Sequence, residues 1–251
     1  MKRVHVSRRA SLRINDALDR WLPPVLRDSR PVAALVRRMY GPLTEDISEF
    51  KERAFYLSRR EYADFYQQLR SKVDQGITDL TPESLDAVVD AVRGERVLDV
   101  ACGRGHLAER LAADRDVVGC DVAVTAGRRG SSSTVTYCEG NLEQLPFRDG
   151  AFDTVVSTHT LEHVQHLSEA LAELRRIAAR RLVIVVPRQR PYRVTFNPHI
   201  QFFPYRFSLL AWTGTDRRHT CELVGGDWLY VEDTDSAPDG PAHEGSSPSV
   251  R

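Results

Sequence analysis

Apolar residues in the middle of the chain form short runs that are separated by segments with a different spacing. The runs are rich in β-branched residues and have the length of buried strands. They lie at 96–100, 116–122, 134–140, 152–158 and 181–187. Between several runs the apolar residues follow helical spacing, as in HLAERLAA and in a stretch that predicts one long helix from about Leu161 to Ala179. Strands that alternate with helices predict an α/β fold with a doubly wound, mostly parallel sheet.

The first 80 residues have helical rather than alternating spacing. Apolar positions recur in SLRINDALDRWL and again in FYLSRREYADFYQQLR. The second segment predicts one aromatic helix face, and such a face is more often packed on a neighbouring domain than open to a ligand. Its members are Tyr56, Tyr62, Phe65 and Tyr66. We therefore predict a helical N-terminal region over residues 1–80.

Local signals mark the ends of the central domain. Thr81 and Pro82 supply a helix N-cap and a proline at the first helical position, so a new domain is predicted to begin at residue 81. Near the other end, HTCELV and DWLYVED flank Gly225-Gly226, a two-residue turn that predicts a C-terminal antiparallel hairpin. The domain is predicted to cover 81–232, and the polar composition of 233–251 is typical of a disordered tail.

Charge and cysteine content narrow the function classes. The 35 basic and 35 acidic residues balance, which argues against nucleic acid as a partner. The apolar runs are too short for a transmembrane segment, and no apolar segment follows the basic start MKRVHVSRR. We predict a cytoplasmic protein with free thiols, because no C-x-x-C pair occurs. The regular spacing of Cys102, Cys120 and Cys138 is attributed to recurring strand ends.

The stretch VLDVACGRGHL places a carboxylate, Asp99, directly before a glycine-rich bend. In sheets of this class, ligands bind at the carboxyl ends of the strands. Gly103-x-Gly105-x-x-Ala108 formally matches a dinucleotide fingerprint, with Asp121 placed to meet a ribose hydroxyl. Asp99 would repel a pyrophosphate, however. A ligand with an amino group therefore fits better than a nicotinamide dinucleotide, and a nicotinamide oxidoreductase is kept as an alternative.

From about Glu95 to Pro187 the chain resembles the class I S-adenosylmethionine-dependent methyltransferases. Asp99, Gly103 and Gly105 match the first motif of that family, and Ala101 stands where the motif has its first glycine. The resemblance implies a Rossmann-like fold with S-adenosylmethionine as cofactor. It also implies that Asp99 holds the amino group of the methionine moiety and that Asp121 holds both ribose hydroxyls.

The segment NLEQLPFRDGAFDTVVSTHTLEHV extends this resemblance beyond the third strand. Asn141 stands where the family has an acid that meets the adenine amine, and its side-chain carbonyl can also accept a hydrogen bond from that amine. The resemblance implies a cofactor-binding set that consists of Asp99, Ala101, Gly103, Gly105, Asp121, Asn141, Leu142 and Thr158.

The second group of candidate residues is THTLEHVQH. His159, Glu162, His163 and His166 have the i, i+3, i+4, i+7 spacing that predicts one helix face. A leucine-glutamate-histidine triplet is common in the superfamily without a metal. We therefore predict no metal, and name His159, His163 or His199 as the proton acceptor.

A metal-assisted mechanism is the alternative for these histidines. THTLEHVQH also resembles the glutamate-x-x-glutamate-histidine motif of metal-assisted methyltransferases that act on RNA 3′ ends or catechol-like quinone precursors. His159 replaces the first glutamate of that motif, and His199 could complete the ligand set. A site with one carboxylate neutralises a divalent ion less well than a site with two, which favours the metal-free interpretation.

The segment that follows the fifth strand, PRQRPYRVTFNPHIQFFPYRFSLL, is the candidate acceptor-binding segment. Arginines and aromatics in this segment suit a glycosylated or phosphorylated small molecule; they are Arg188, Arg190, Tyr192, Arg193 and Phe202. We predict methyl transfer to oxygen or nitrogen of a small, sugar-containing or natural-product acceptor. Residues 1–80 are a candidate cover of the acceptor site, and a glycosylation-pathway partner is expected. A catalytically silent, methyltransferase-like protein that docks a glycosylation enzyme is the alternative from another class.

Overall fold

The computed structural model describes residues 23–40, 42–72, 78–122, 124, 134–192 and 197–234. The N-terminal part of this range is helical, as predicted. It contains α1 (Pro24–Arg27), α2 (Arg30–Tyr40), α3 (Pro42–Arg53), a 3-10 turn (Ala54–Tyr56) and α4 (Arg59–Lys72). The segment SLRINDALDRWL and the predicted tail beyond residue 234 lie outside the described residues.

The strands of the described chain form one seven-stranded sheet with the order β3-β2-β1-β4-β5-β7-β6. Strands β1 to β5 pair in parallel, and β7 runs antiparallel to both β5 and β6. Their bounds are β1 (Arg96–Val100), β2 (Asp116–Asp121), β3 (Val135–Glu139), β4 (Phe152–Thr158), β5 (Ala178–Pro187), β6 (His219–Val224) and β7 (Asp227–Asp233). This is the predicted Rossmann-like, mostly parallel sheet with a C-terminal antiparallel hairpin.

Two apolar layers cover the sheet. Because side chains alternate along a strand, Val97 and Leu98 of β1 enter opposite layers, and both are fully buried. The helices that supply the layers are α5 (Pro82–Ala91), α6 (His106–Leu111), α7 (Leu167–Ile177) and α8 (Arg206–Thr213). Helices α5 and α6 contribute to the layer of Val97, and α7 and α8 to that of Leu98. A sheet covered on both faces leaves its strand ends as the place for a ligand.

Caps and turns at the domain edges follow the sequence. Thr81 caps α5 by accepting a hydrogen bond from the backbone N–H of Ser84 at 3.1 Å, and Pro82 follows it. Gly225 and Gly226 have φ angles of +59° and +100°, which a two-residue hairpin turn of type I′ requires at both positions. The hydroxyl of Ser84 donates to the carbonyl of Val224 at 3.0 Å, so the hairpin turn is held against the start of α5.

The prediction of one helix from Leu161 to Ala179 is wrong. Residues 161–163 form a 3-10 turn, Val164 is extended, and α7 runs only from Leu167 to Ile177, after which β5 begins at Ala178. The cause is tertiary: the buried amide of Gln165 donates to the carbonyls of Ala54 and Leu57 at 2.6 and 3.0 Å, which holds the chain between the turn and the helix.

This break changes the histidine group. The four residues predicted to share a helix face do not share one, because His159 precedes the 3-10 turn and His166 is an exposed residue at the N-cap of α7. His159 adopts a φ angle of +49° instead of a helical value. Only Glu162 and His163 of the group lie within the turn.

The aromatic face of α4 forms in part. Phe50 stacks on Phe65 with ring centroids 3.8 Å apart, and the rings of Tyr62 and Tyr66 lie 5.3 and 5.8 Å from that of Phe50. Tyr56 does not belong to this face, because it lies in the 3-10 turn before α4 and is 88% exposed.

The four cysteines are free thiols, and Cys120 lies opposite Cys138 in the pairing of β2 with β3. Among the described residues, no helix is both long and apolar enough to cross a lipid bilayer. The cytoplasmic location stays a prediction.

Candidate active site

The loop between β1 and α6 has an unusual backbone. Ala101, Gly103 and Gly105 all have positive φ angles, of +58°, +53° and +72°. This region is open to glycine but costs other residues roughly 1–2 kcal/mol, so Ala101 is strained. A Cβ atom added to Gly103 would meet no atom of the described residues within 4 Å. The loop therefore has open space at Gly103, where a ligand can approach the backbone closely.

Asp99 is a buried carboxylate, and one of its oxygen atoms lacks a hydrogen-bond donor in the described part of the chain. The residue is 2% exposed, and its Oδ2 atom has no hydrogen-bond partner among the described residues. Burial, and then the nearby carboxylate of Asp121, raise the pKa of Asp99 to about 7. A cationic ligand group would supply the missing donor and favour the charged form. The amino group of S-adenosylmethionine is a group of this kind.

Asp121 ends β2 and joins that strand to the glycine-rich loop. Its Oδ2 atom accepts a hydrogen bond from the backbone N–H of Gly103 at 2.9 Å. Asn141 follows β3, and its Oδ1 accepts from the backbone N–H of Glu143 at 2.9 Å. An amide carbonyl has a second lone pair, so this bond does not prevent Asn141 from accepting from an adenine amine.

The residues predicted to bind the cofactor thus come from one edge of the sheet. They lie at or just beyond the carboxyl ends of β1, β2, β3 and β4, strands that are adjacent in the sheet. Leu142 is buried and Thr158 is the last residue of β4. The orphaned oxygen of Asp99 and the open space at Gly103 fit S-adenosylmethionine, and the assignment of each contact stays a prediction.

His159 is held between two acids. Its Nε2 lies 3.2 Å from Oδ2 of Asp227, and its Nδ1 lies 3.5 Å from Oε1 of Glu162. Burial alone would lower the pKa of His159, but Asp227 and then Glu162 together raise it well above the usual value. His159 is therefore protonated at neutral pH, with both ring nitrogens facing carboxylates.

His163 and His199 pack against each other in a separate part of the site. Their ring centroids are 4.6 Å apart in an edge-to-face arrangement. Nδ1 of His163 lies 3.0 Å from the hydroxyl of Tyr66, and Nδ1 of His199 lies 2.6 Å from Oε1 of Gln189. Burial lowers the pKa of both rings, that of His199 well below the usual value. Both histidines are neutral at pH 7 and can accept a proton or bind a metal ion.

Glu162 lies beside this pair. It is 1% exposed, and within the described part of the chain neither carboxylate oxygen has a hydrogen-bond partner. One ligand atom each from Glu162, His163 and His199 lie within 4.8 Å of one another; we call these residues the Glu-His-His cluster. The backbone N–H groups of Ile200 and Gln201 donate to the carbonyl of Glu162 at 2.8 and 3.0 Å, which places His199 there.

Helix α4 covers one side of the cluster. The hydroxyl of Tyr62 donates to the carbonyl of His163, and the ring of Tyr66 stands edge-to-face on the imidazole of His163 at 5.5 Å. Burial raises the pKa of both tyrosines well above the usual value, so both hydroxyls stay protonated at neutral pH. The N-terminal region and the sheet edge therefore form one site.

Residues 98–185 match the family described as methyltransferase domain. This segment is a class I S-adenosylmethionine-dependent methyltransferase domain. The match covers β1 to β5 almost completely, and thus the whole edge that carries Asp99 and Asp121. It favours the methyltransferase over the nicotinamide oxidoreductase kept as an alternative.

Relatives share this domain but not the entire chain. A demethylmenaquinone methyltransferase from Thermobifida fusca is 37% identical over 46% of this chain and 52% of its own length. A malonyl-[acyl-carrier protein] O-methyltransferase from Geobacter sulfurreducens is 35% identical over 50% of this chain and 48% of its own. The chain thus spans about half the length of the curated relatives it matches.

A solved structure shares the fold of the methyltransferase domain. A protein from Pyrococcus horikoshii matches with a TM-score of 0.52 at 18% identity, over 64% of this chain and 96% of that protein. At this identity the likeness supports the fold alone.

Sequence reasoning missed several residues of the site. Asp227 directly follows the Gly225-Gly226 turn. In the structure β7 pairs with β5, and this pairing sets Asp227 opposite Pro187 at the carboxyl end of β5. The pairing of these two strands is the signal that could have located Asp227 in the site. Tyr62 and Tyr66 were assigned to an aromatic face but not to the site. Gln189, which orients His199, has no local signal in the sequence.

Proposed function

We propose that the protein transfers the methyl group of S-adenosylmethionine to an oxygen or nitrogen atom of a small, sugar-containing or natural-product acceptor. The observation that carries the methyl-transfer proposal is the buried Oδ2 atom of Asp99, which has no donor among the described residues and lies in the strand that leads to the open glycine-rich loop. The name of the Geobacter relative, an O-methyltransferase, agrees with a heteroatom acceptor.

The cofactor's sulfonium supplies an activated methyl group, so the protein has mainly to align the reactants. In this proposal Asp99 binds the amino group, Asp121 the ribose hydroxyls and Asn141 the adenine amine. The positive φ angles of Ala101 and Gly103 turn the loop so that its backbone approaches the methionine moiety.

We assign the proton acceptor to His199. A hydrogen on Nδ1 that is donated to Gln189 leaves the lone pair on Nε2. His199 also lines a cavity between the N-terminal helices and the chain after β5, where an acceptor can enter. His159 suits this role less well, because Asp227 and Glu162 keep it protonated. His163 is kept as a second candidate base, supported by its lowered pKa.

We also propose a division of the chain that corresponds to these roles. We assign residues 1–80 to the cover of the acceptor site, 81–232 to the methyltransferase domain and 233–251 to the tail. The contacts of Tyr62 and Tyr66 with His163 support the covering role of α4.

The first test measures cofactor binding and turnover separately. Calorimetry on the full chain should give heat for S-adenosylhomocysteine and none for NAD. Labelled S-adenosylmethionine should then transfer its methyl group to members of a panel of glycosylated alcohols and amines. Failure to bind S-adenosylhomocysteine would refute the central proposal. Binding without turnover on any acceptor would favour the silent binding protein that docks a glycosylation enzyme.

A metal-assisted methyltransferase is a second candidate, favoured by one observation. The carboxylate of Glu162 is buried next to two neutral imidazoles. Its Oε1 faces the ring of His159 at 3.5 Å, and neither oxygen has a hydrogen-bond partner among the described residues. Two histidines and a carboxylate suit zinc, with open positions for an acceptor hydroxyl. Elemental analysis of the purified protein, together with an assay in chelator, separates the candidates: stoichiometric metal whose removal abolishes turnover would establish the metal-assisted mechanism.

A further inference from the structure

The N-terminal helices and the chain after β5 enclose a cavity of about 620 Å³. This volume lies in the range of roughly 300–1,000 Å³ that is usual for small-molecule sites. Its wall includes the rings of Tyr192 and Phe202, which meet edge-to-face at 5.4 Å, and the side chain of His199. The cavity thus joins an aromatic surface to the Glu-His-His cluster.

Six charged side chains also line the cavity, and four of them have interactions of their own. Glu49 pairs with Arg53 at 3.3 Å. Lys51 donates to the backbone carbonyl of Tyr192 at 3.4 Å. The remaining two of these four, Asp28 and Glu52, also have partners. The charges of these four side chains are therefore already matched by partners within the protein.

The other two charged side chains are Arg30 and Arg37 of α2. Within the described ranges neither guanidinium makes a hydrogen bond or an ion pair. They are seven residues apart, which is about two helical turns, so they lie on the same face of the helix. The small side chain of Ala33 lies between them in the cavity wall. The wall formed by α2 therefore presents two positive charges that have no partner among the residues that the structure describes.

We propose that this wall binds an anionic group of the methyl acceptor, a phosphate or a carboxylate. A guanidinium suits either group, because its N–H donors match two oxygens at once. An acceptor bound there can pack its apolar part on Phe202 and reach His199 with its methyl-accepting atom, whereas Tyr192 is 5% exposed and the ammonium of Lys51 lies 4.5 Å from the centroid of its ring. The identity of the ligand as the acceptor rests on the proposed methyl transfer, whereas anion binding in the cavity does not.

The test uses three naphthalene probes on the full chain without cofactor. The probes are 1-naphthyl phosphate, 1-naphthoate and the neutral 1-naphthalenemethanol, and calorimetry measures the dissociation constant of each. The phosphate or the carboxylate should bind at least about tenfold more tightly than the neutral probe, since charge-assisted hydrogen bonds are the stronger ones. Comparison of the two anions shows which group the site prefers.

Matched variants of α2 locate the binding. The double variant Arg30→Gln, Arg37→Gln should lose the advantage of the anionic probes and keep the affinity for the neutral one. Arg38→Gln is the control, because Arg38 is exposed on the same helix and does not line the cavity. Thermal melting and the affinity for S-adenosylhomocysteine should stay unchanged in all variants.

Two results would overturn the proposal. One is equal affinity of the unmodified protein for the charged and neutral probes. The other is an equal loss of anion binding in Arg38→Gln and in the double variant, which would indicate unspecific attraction to a basic helix. If the unmodified protein binds the anionic probes but not S-adenosylhomocysteine, the result would count against the proposed methyl transfer and would still support the anion site.

Discussion

Asp227 and His159 come from different strands of the sheet and meet at the carboxyl end of β4, with Oδ2 of Asp227 3.2 Å from Nε2 of His159. Asp227 is the first residue of β7 and His159 follows the last residue of β4. The contact spans 68 positions in sequence. His159 has a φ angle of +49°, in the left-handed region that is uncommon for residues other than glycine.

Replacing the acid of this pair should destabilise the fold. We expect Asp227→Asn to lower the free energy of unfolding by about 2 kcal/mol, because the protonated ring of His159 loses a carboxylate partner in a largely buried place and keeps at most a hydrogen bond to a neutral amide. Urea denaturation at pH 7 measures the change. Asp86→Asn, an exposed substitution on α5, is the control and should change stability by less than about 0.5 kcal/mol. Equal stability of both variants would show that the pair contributes nothing.

Cofactor affinity should depend on pH through Asp99. Its pKa in the free protein is raised to about 7, so Asp99 is mostly protonated below that pH. Binding of an amino group favours the carboxylate, and the complex must therefore release a proton. The dissociation constant for S-adenosylhomocysteine should rise up to about tenfold for each pH unit below 7 and level off above it.

Calorimetry at pH 6 in two buffers with different ionisation enthalpies measures the released proton directly. The control is Asp99→Asn, which should bind more weakly and lose the pH dependence. A pH-independent affinity of the unmodified protein between pH 5.5 and 7 would contradict the role of Asp99.

The part of the site that sequence reasoning located is the part built from local signals. Asp99 and Gly103 lie four residues apart in a strand and the loop that follows it. The packing of other segments depends on distant contacts that local patterns do not contain. Helical spacing extends through Gln165, but hydrogen bonds from its amide to Ala54 and Leu57 keep this segment out of the helix, which begins only at Leu167. His199 is placed beside Glu162 because the next two residues, Ile200 and Gln201, donate backbone hydrogen bonds to the carbonyl of Glu162. A pattern with a period of two or 3.6 residues cannot indicate a contact between segments so far apart in the sequence.

Removal of the acid at the end of β2 should weaken cofactor binding without unfolding the protein. We expect Asp121→Ala to lose on the order of 2 kcal/mol of binding free energy, because a diol would lose its charged acceptor. Calorimetry with S-adenosylhomocysteine measures this loss. Asp116→Ala, at the exposed start of the same strand, should bind like the unmodified protein. Unchanged affinity in Asp121→Ala would contradict the ribose role.

Two substitutions in the glycine-rich loop between β1 and α6 should have opposite effects on the free energy of unfolding. Ala101→Gly relieves a positive φ angle and should raise the free energy of unfolding by up to about 1 kcal/mol, since the added freedom of the unfolded chain offsets part of the gain. Gly103→Ala introduces the same strain and should lower it by about 1 kcal/mol.

The same pair should separate stability from cofactor binding. A Cβ at position 103 has no neighbour among the described residues within 4 Å, so the free protein accommodates it, whereas a bound cofactor would compete for that space. Gly103→Ala should therefore lose affinity for S-adenosylhomocysteine, while Ala101→Gly keeps it. Thermal melting and calorimetry on both variants measure the two effects. Full affinity in Gly103→Ala would show that the cofactor does not lie at this position.

The last prediction concerns His199, whose neutral ring lies between the acceptor cavity and Glu162. If His199 is the general base, His199→Ala should lower kcat by roughly 100-fold or more, with little effect on cofactor affinity. Turnover of the unmodified protein should then survive chelator. Gln189→Leu removes the partner that orients the ring, together with the acceptor of the Tyr192 hydroxyl, but leaves the imidazole itself in place, so it should lower kcat by a smaller factor than His199→Ala. If the Glu-His-His cluster instead binds zinc, His199→Ala and Glu162→Gln should both lower the metal content, and chelator should abolish turnover.

We favour the metal-free base over the zinc site, because one carboxylate offsets only half the charge of a divalent ion. Metal content in proportion to protein, lost together with activity in Glu162→Gln, would reverse that preference.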